Sequence, residues 1–136
     1  MYDIHGKKLY SCTLPVRWGD MDAYRHVNNA LYLRYLEEAQ VQLLATLGSD
    51  MTGVGNDPMV INVGCTFLRP VTYPDTLTID CYVADPGRSS FMTYYEIFSE
   101  HDNSKPVSQG HSKIVWVNHQ TGRSVPLPDH IRAQMT

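Results

Sequence analysis

Apolar and polar positions alternate from Tyr10 to Trp18, with Tyr, Cys, Leu, Val and Trp at even places and Ser, Thr, Pro and Arg between them. A period of two predicts a strand with one buried face. Pro15 within it points to a sheet edge or a bulge, because proline has no N–H to give to a ladder. The period then changes. Tyr32, Leu36, Ala39, Leu43 and Leu47 recur at spacings of four, three, four and four, which sets one apolar stripe on a helix of about five turns. Asn28 or Asn29 suits its N-cap, and Gly48 its C-terminal cap. Arg34 and Glu38, four residues apart, fall together on the solvated side.

After a loop rich in Gly, Asp and Asn, from Ser49 to Pro58, strand-like runs return four times. Ile61, Val63, Cys65 and Phe67 form one alternating set, and Leu77, Ile79, Cys81 and Val83 another. Phe91 to Phe98 is aromatic-rich, and Val107 to Val117 closes the series. Turn signals separate them: YPD at 73–75, DPGR at 85–88, HDNSKP at 101–106 and NHQTGR at 118–123. The order of one strand, a long helix and four strands predicts an α+β fold. The last four strands are expected to form an antiparallel meander, with the helix over one face. One helix cannot cover both faces and both edges of such a sheet. The pattern therefore predicts self-association, by edge pairing or through a surface flanking the helix.

Composition narrows the functions available. With 136 residues, 43% hydrophobic and 18% charged, the chain is expected to be a single globular domain over 1–136. A net charge of −3 lacks the basic excess that nucleic-acid or anionic-membrane binding uses. No apolar run reaches a membrane span and the N-terminus has no signal-like core, so a cytoplasmic protein is expected. Cys12, Cys65 and Cys81 form no CxxC pair and sit on the apolar phase of strands, as small buried hydrophobes do.

No GxSxG, P-loop, GxGxxG or HExxH motif is present, and the six histidines lack metal-ligand spacing. Neither a metal nor a cofactor is expected. What remains is the stretch RWGDMDAYRHVNN, which crowds two aspartates, a histidine and two asparagines against the helix start. Asp22 lies too far ahead of the first turn to be its cap. If AYRHV folds back, the Asp22 carboxylate comes to face the unpaired first-turn amides and the positive end of the helix dipole. A carboxylate to attack or to activate water, with amides to hold a developing oxyanion, suits acyl transfer. An aspartate is a weak nucleophile, so the fitting substrate is an activated acyl group, a thioester rather than an amide. The plainer alternative is a turn whose acids are favoured by the dipole, with His26 as a hydrogen-bonding residue.

The run VRWGDMDAYRHVNNALYLRYLEEAQ resembles the signature of the 4-hydroxybenzoyl-CoA thioesterase-like branch of the hotdog-fold acyl-CoA thioesterases. VGCTFLRPVTYPDTL resembles that family's second and third strands, GRSSF the start of its fourth, and VNHQTGRSVPLPDHIRA its C-terminal end. The likeness covers nearly the whole chain. It implies a hotdog fold, a five-stranded antiparallel sheet wrapped around one long helix in the order β-α-β-β-β-β. It also implies an acyl-CoA thioesterase working as a homodimer or homotetramer. Within that resemblance Asp22 is the catalytic carboxylate, as nucleophile or general base, and Asn29 supplies the backbone amide that polarises the thioester carbonyl. His26 and Asn28 of HVNN are implied to shape the substrate pocket, and Arg88 and Ser89 to contact CoA. Ala23 stands where the member first known for the aromatic substrate has proline after its aspartate, which turns the expectation towards an aliphatic acyl group. Another branch uses a glutamate on the long helix, but Glu38 has Arg34 as a partner on the solvated side. Two alternatives stay open: a hotdog hydratase or dehydratase, whose Asp-x-Asn-Pro-x-His pattern DMDAYRH does not match, and a non-catalytic oligomer that binds acyl thioesters.

Overall fold

Asn28 opens the long helix by accepting a hydrogen bond from Ala30 N on its Oδ1 at 2.9 Å, and Gly48 ends it with a φ of 96°. Between them, in this computed structural model, α1 runs over Asn29–Leu47 and buries Tyr32, Tyr35, Leu36, Ala39, Leu43, Leu44 and Leu47. The expected stripe is there, widened by Tyr35 and Leu44. Glu38 departs from expectation. Its Oε1 accepts from Gln42 Nε2 at 2.9 Å, and among the described residues no ion pair joins it to Arg34. The structure describes residues 3–49, 53 and 55–135.

Five strands accompany the helix: β1 (Lys7–Pro15), β2 (Asn56–Phe67), β3 (Thr76–Ala84), β4 (Ser90–Ser99) and β5 (Ser108–Asn118), with a short α2 (Asp129–Ala133) that periodicity did not announce. They form one antiparallel sheet in the order β1-β3-β4-β5-β2. This is the expected hotdog arrangement, with one correction. Only β3, β4 and β5 form a meander; β2 pairs with β5 and has β3 nowhere beside it. The reason lies in the connection from Leu68 to Asp75. Leu68 N and Arg69 N both donate to Val107 O, which holds the end of β2 on the β5 side. Val71 O then accepts from Val27 N, so the connection passes the start of α1 before β3 begins. The chain crosses the sheet rather than turning back on itself. As a result β1 and β2 are the edges, and Pro15 is the last residue of an edge strand, where its missing donor costs nothing. Because β1 stops there, the alternation expected to reach Trp18 ends at Val16. Trp18 enters a single 3-10 turn (Trp18–Asp20) and is 75% exposed.

The core lies between α1 and the face carrying Leu77, Ile79, Cys81 and Val83 of β3, Phe91, Tyr95 and Ile97 of β4, and Ile114 and Trp116 of β5. Cys12 and Cys81 are buried free thiols, as expected, and Cys65 is half-buried. Burial pushes the Cys81 thiol up to about 12. The C-terminal segment closes the far end. Gln134 Nε2 donates to Leu47 O at 2.8 Å, and Arg132 Nη2 donates to the carbonyls of Gly87 and Arg88. No helix among the described residues is long and apolar enough to cross a membrane.

Leu36 of α1 packs closely over Gly110 of β5. A Cβ added at Gly110 would meet Leu36 Cδ1 inside van der Waals distance. Gly110→Ala is therefore expected to destabilise the fold by about 1–3 kcal/mol in urea unfolding. Gly19→Ala, where nothing lies within 4 Å, is the control and should change stability by less than about 0.5 kcal/mol. Burial also pushes the phenols of Tyr32 and Tyr95 up to about 12. A raised folded-state value favours the protonated form in the native state. Stability from this source is full below about pH 10, where free tyrosine is still protonated, and is lost as pH rises from there towards 12. Urea midpoints measured across that range should fall, and Tyr95→Phe should flatten part of the decline.

Candidate active site

The segment before α1 is a small hairpin closed at its base. Met21 and Val27 form an isolated antiparallel bridge, Asp22 N donates to His26 O at 2.9 Å, and Arg25 N donates to Asp22 O at 3.0 Å. Arg25 takes a φ of 63° to complete the turn, a conformation uncommon for residues other than glycine, asparagine and aspartate. The AYRHV turn thus does fold Asp22 back. Its Oδ1 accepts from Tyr24 N at 2.8 Å, which fixes the carboxylate in an Asx turn.

The two aspartates have different surroundings. Asp20 Oδ2 accepts from Arg17 N at 3.0 Å and from Tyr35 OH at 2.7 Å, and Asp20 O accepts from Asn28 N at 3.0 Å. Asp20 ties the approach segment to the helix flank. Burial, followed by the neighbouring Asp20 carboxylate, pushes the Tyr35 phenol well above its ordinary value. Asp22 instead lines a cavity of about 360 Å³ at the helix start, together with Tyr24, His26, Asn29, Phe67 and Arg69.

Asn29 is the first residue of α1, and its backbone N–H has no acceptor among the described residues. The next two amides are occupied, Ala30 N by Asn28 Oδ1 and Leu31 N by Asn28 O. The cap therefore leaves one first-turn donor at the positive end of the helix dipole, on Asn29, a residue that lines the same cavity as Asp22. Such a donor stabilises negative charge developing on a carbonyl oxygen, and one donor of this kind can lower a barrier by about 3 kcal/mol.

The structure brings Asp22, His26 and Asn29 to one cavity. Asn28 lies apart from that wall, with its side chain engaged in the helix cap. Arg88 and Ser89 lie elsewhere in the chain, at the β3–β4 turn, where Arg88 O accepts from Leu127 N and Ser89 O from Trp116 N. β5 measures the gap. It pairs Ser108 with Phe67 at the cavity end and Val115 with Ser90 at the other, about 23 Å apart at roughly 3.3 Å per residue. The loop Ser49–Pro58 is described only in part. Residues 50–52 and 54 lie outside the described residues, and 56–58 belong to β2.

Sequence reading missed Arg69, Phe67 and Tyr24 as cavity walls. Arg69 is held by Asp102 Oδ2 through Nη1 at 2.9 Å, and its Nη2 donates to the carbonyls of Asp102 and Lys105. It reaches the cavity from the crossing connection, so only the position of FLRP after a strand hinted at it.

The PA2801 protein of Pseudomonas aeruginosa is 43% identical and superposes with a TM-score of 0.89, covering 94% of this chain and 98% of that one. The long-chain acyl-CoA thioesterase FadM of Escherichia coli is 27% identical over 125 residues, 90% of this chain and 93% of FadM. The 1,4-dihydroxy-2-naphthoyl-CoA hydrolase of Picosynechococcus is 28% identical over 126 residues, 88% of this chain and 86% of that protein. The match to the family as a whole spans residues 16–135, and the chain belongs to the thioesterase-like superfamily.

Proposed function

We propose that this protein hydrolyses aliphatic acyl-CoA thioesters to the free acid and CoA, with Asp22 as the attacking or water-activating carboxylate and the Asn29 amide as carbonyl polariser. Family membership and relatives named as thioesterases make the chain a thioester hydrolase. One observation carries the finer reading: the Asp22 carboxylate and the unpaired first amide of α1 share one cavity. A thioester carbonyl seated there has a donor for its oxygen and a carboxylate for its carbon or for a water beside it. Support for an aliphatic acyl group comes from the apolar seam that α1 and β2 form beyond Asn29, and from the likeness to FadM. Ala23 in place of proline after Asp22 agrees with a site outside the 4-hydroxybenzoyl branch proper.

The same reading includes a homodimer built on β2. This edge strand leaves Met59, Val60, Ile61, Val63 and Phe67 exposed, an apolar edge of the kind that proteins cover or pair. Antiparallel pairing of two β2 strands turns the second copy end for end. Its Arg88 and Ser89 then come to the Asp22 end of the first, which gives those residues their place beside CoA despite their distance within one chain. His26 and Asn28 shape the approach, one as cavity wall and the other as helix cap.

Thiol release measured across acyl-CoAs of graded length and aromatic ones should be strongest on an aliphatic ester. Asp22→Asn should lower kcat/KM about 10³-fold with an unchanged circular dichroism spectrum; near-normal turnover would remove Asp22 from the chemistry. Single-turnover hydrolysis in ¹⁸O-labelled water separates the two roles, because only direct attack leaves solvent oxygen in Asp22. Ile61→Lys should convert the dimer to a monomer in light scattering and lose most activity. A monomeric wild-type protein with full activity would refute the β2 interface.

A further inference from the structure

Farther along α1 from Asn29, a second cleft of about 570 Å³ lies between the helix and β2, walled by Leu33, Leu36 and Val41 of the helix and Val60 and Val63 of the strand. It begins at Ala30 and continues to Gln40, which lies about 16 Å along the helix from Asn29 at 1.5 Å per residue. Walls of this kind suit an acyl chain. The far end is different, because a polar cluster lies beneath it. Thr93, Tyr95 and Ser112 are fully buried, and their hydroxyls are joined. Thr93 Oγ1 donates to Tyr95 OH at 2.9 Å and also meets Ser112 Oγ. The outlet of this cluster is Gln40, whose Oε1 accepts from Ser112 Oγ at 3.2 Å and from Tyr95 OH at 3.5 Å. With the amide oxygen occupied, the Nε2 group keeps two N–H donors and has no acceptor among the described residues. Gln40 and Tyr95 both form part of the cleft lining. The other polar side chains there, Arg34 and Glu37, are exposed.

We propose that Gln40 is a specificity-determining residue whose side-chain amide donates to an oxygen at the far end of the acyl chain, so that terminally oxygenated acyl thioesters are preferred over plain alkyl ones. The inference rests on the thioesterase reading for the identity of the ligand. A plain chain that displaces water from this end of the cleft leaves the amide donors unpaired, whereas a terminal hydroxyl or carbonyl oxygen accepts from them. With C–C bonds of about 1.5 Å in a zigzag chain, the span from Asn29 to Gln40 takes roughly a dozen carbons.

The test compares dodecanoyl-CoA with its terminally hydroxylated and its β-hydroxylated counterparts. Wild-type protein is expected to favour the terminally hydroxylated ester about tenfold in kcat/KM, and to treat the β-hydroxylated ester like the plain one. Gln40→Glu keeps an acceptor for Tyr95 and Ser112 but replaces the amide donor with a second oxygen, and should bring the ratio close to one; Gln40→Met is the uncharged second variant. Affinities of the same esters for the Asp22→Asn protein, measured by calorimetry, should show the same ratio without turnover. Equal constants for the plain and terminally hydroxylated esters overturn the proposal. So does a preference that survives both Gln40 variants, a preference for the plain chain, or an Asp22→Asn protein that binds neither ester. If wild-type protein releases no thiol from any ester, the thioesterase reading falls, and the affinity ratio alone decides the role of Gln40.

Discussion

Helix α1 can sit against β5 only because Gly110 presents no side chain to Leu36, and much else follows from that seat. The positions of β5 that face the helix from Ser108 to Ser112 are small: serine, glycine and serine. A close-packed interior has no slack to absorb a larger residue there. The low floor draws the N-terminal half of α1 down onto the sheet while leaving hydroxyl groups beneath it. Those hydroxyls cannot stay unpaired in a buried layer, which gives Gln40 its structural task. The same seat holds the first turn of α1 beside the crossing connection, through Val27 and Val71. One steric allowance thus fixes the depth of the helix, the polarity of the cleft and the place of its unpaired amide.

The approach segment divides labour between two aspartates that look equivalent in DMD. Asp20 takes its hydrogen bonds from the helix flank and its own turn, and so is a fastening. Asp22 takes one from Tyr24 N inside a tight hairpin and keeps a face on the cavity. A carboxylate held by one short local bond is oriented without being tied to the main body of the fold. That is the arrangement a reacting group needs, since a fully satisfied acid has no capacity left for substrate or water.

The elements were legible because their periods differ. Leu36, Ala39, Leu43 and Leu47 can share a face only on a helix, and Leu77, Ile79, Cys81 and Val83 only on a strand. The caps were legible for the same local reason, since Asn28 and Gly48 act through their own backbone neighbours. Strand order was not. Nothing within Asn56–Phe67 records that its partner is β5, because that choice is made by where residues 68–75 cross. Strand length misled at Trp18 in a similar way: alternation continued in the sequence past Pro15, where the ladder stops. In the candidate site, Asp22, His26 and Asn29 were readable from one contiguous motif, whereas Arg69 and Phe67 arrive from a remote connection. Gln40 carried no signal at all, since a glutamine on a helix flank reads as solvated until Tyr95 and Ser112 are placed beneath it.

The crossing that sends β2 to β5 also bears on when the chain can assemble. β2 is the second strand in sequence, yet its hydrogen-bonding partner is the last. Pairings between distant segments form late, because the loop between them must be closed before any bond rewards it. The segment that carries the exposed apolar row therefore has no ladder to join until β5 is available to it. An unfinished chain cannot display this edge in register. β2 thus gains its ladder only together with β5, the strand whose small residues form the floor beneath α1.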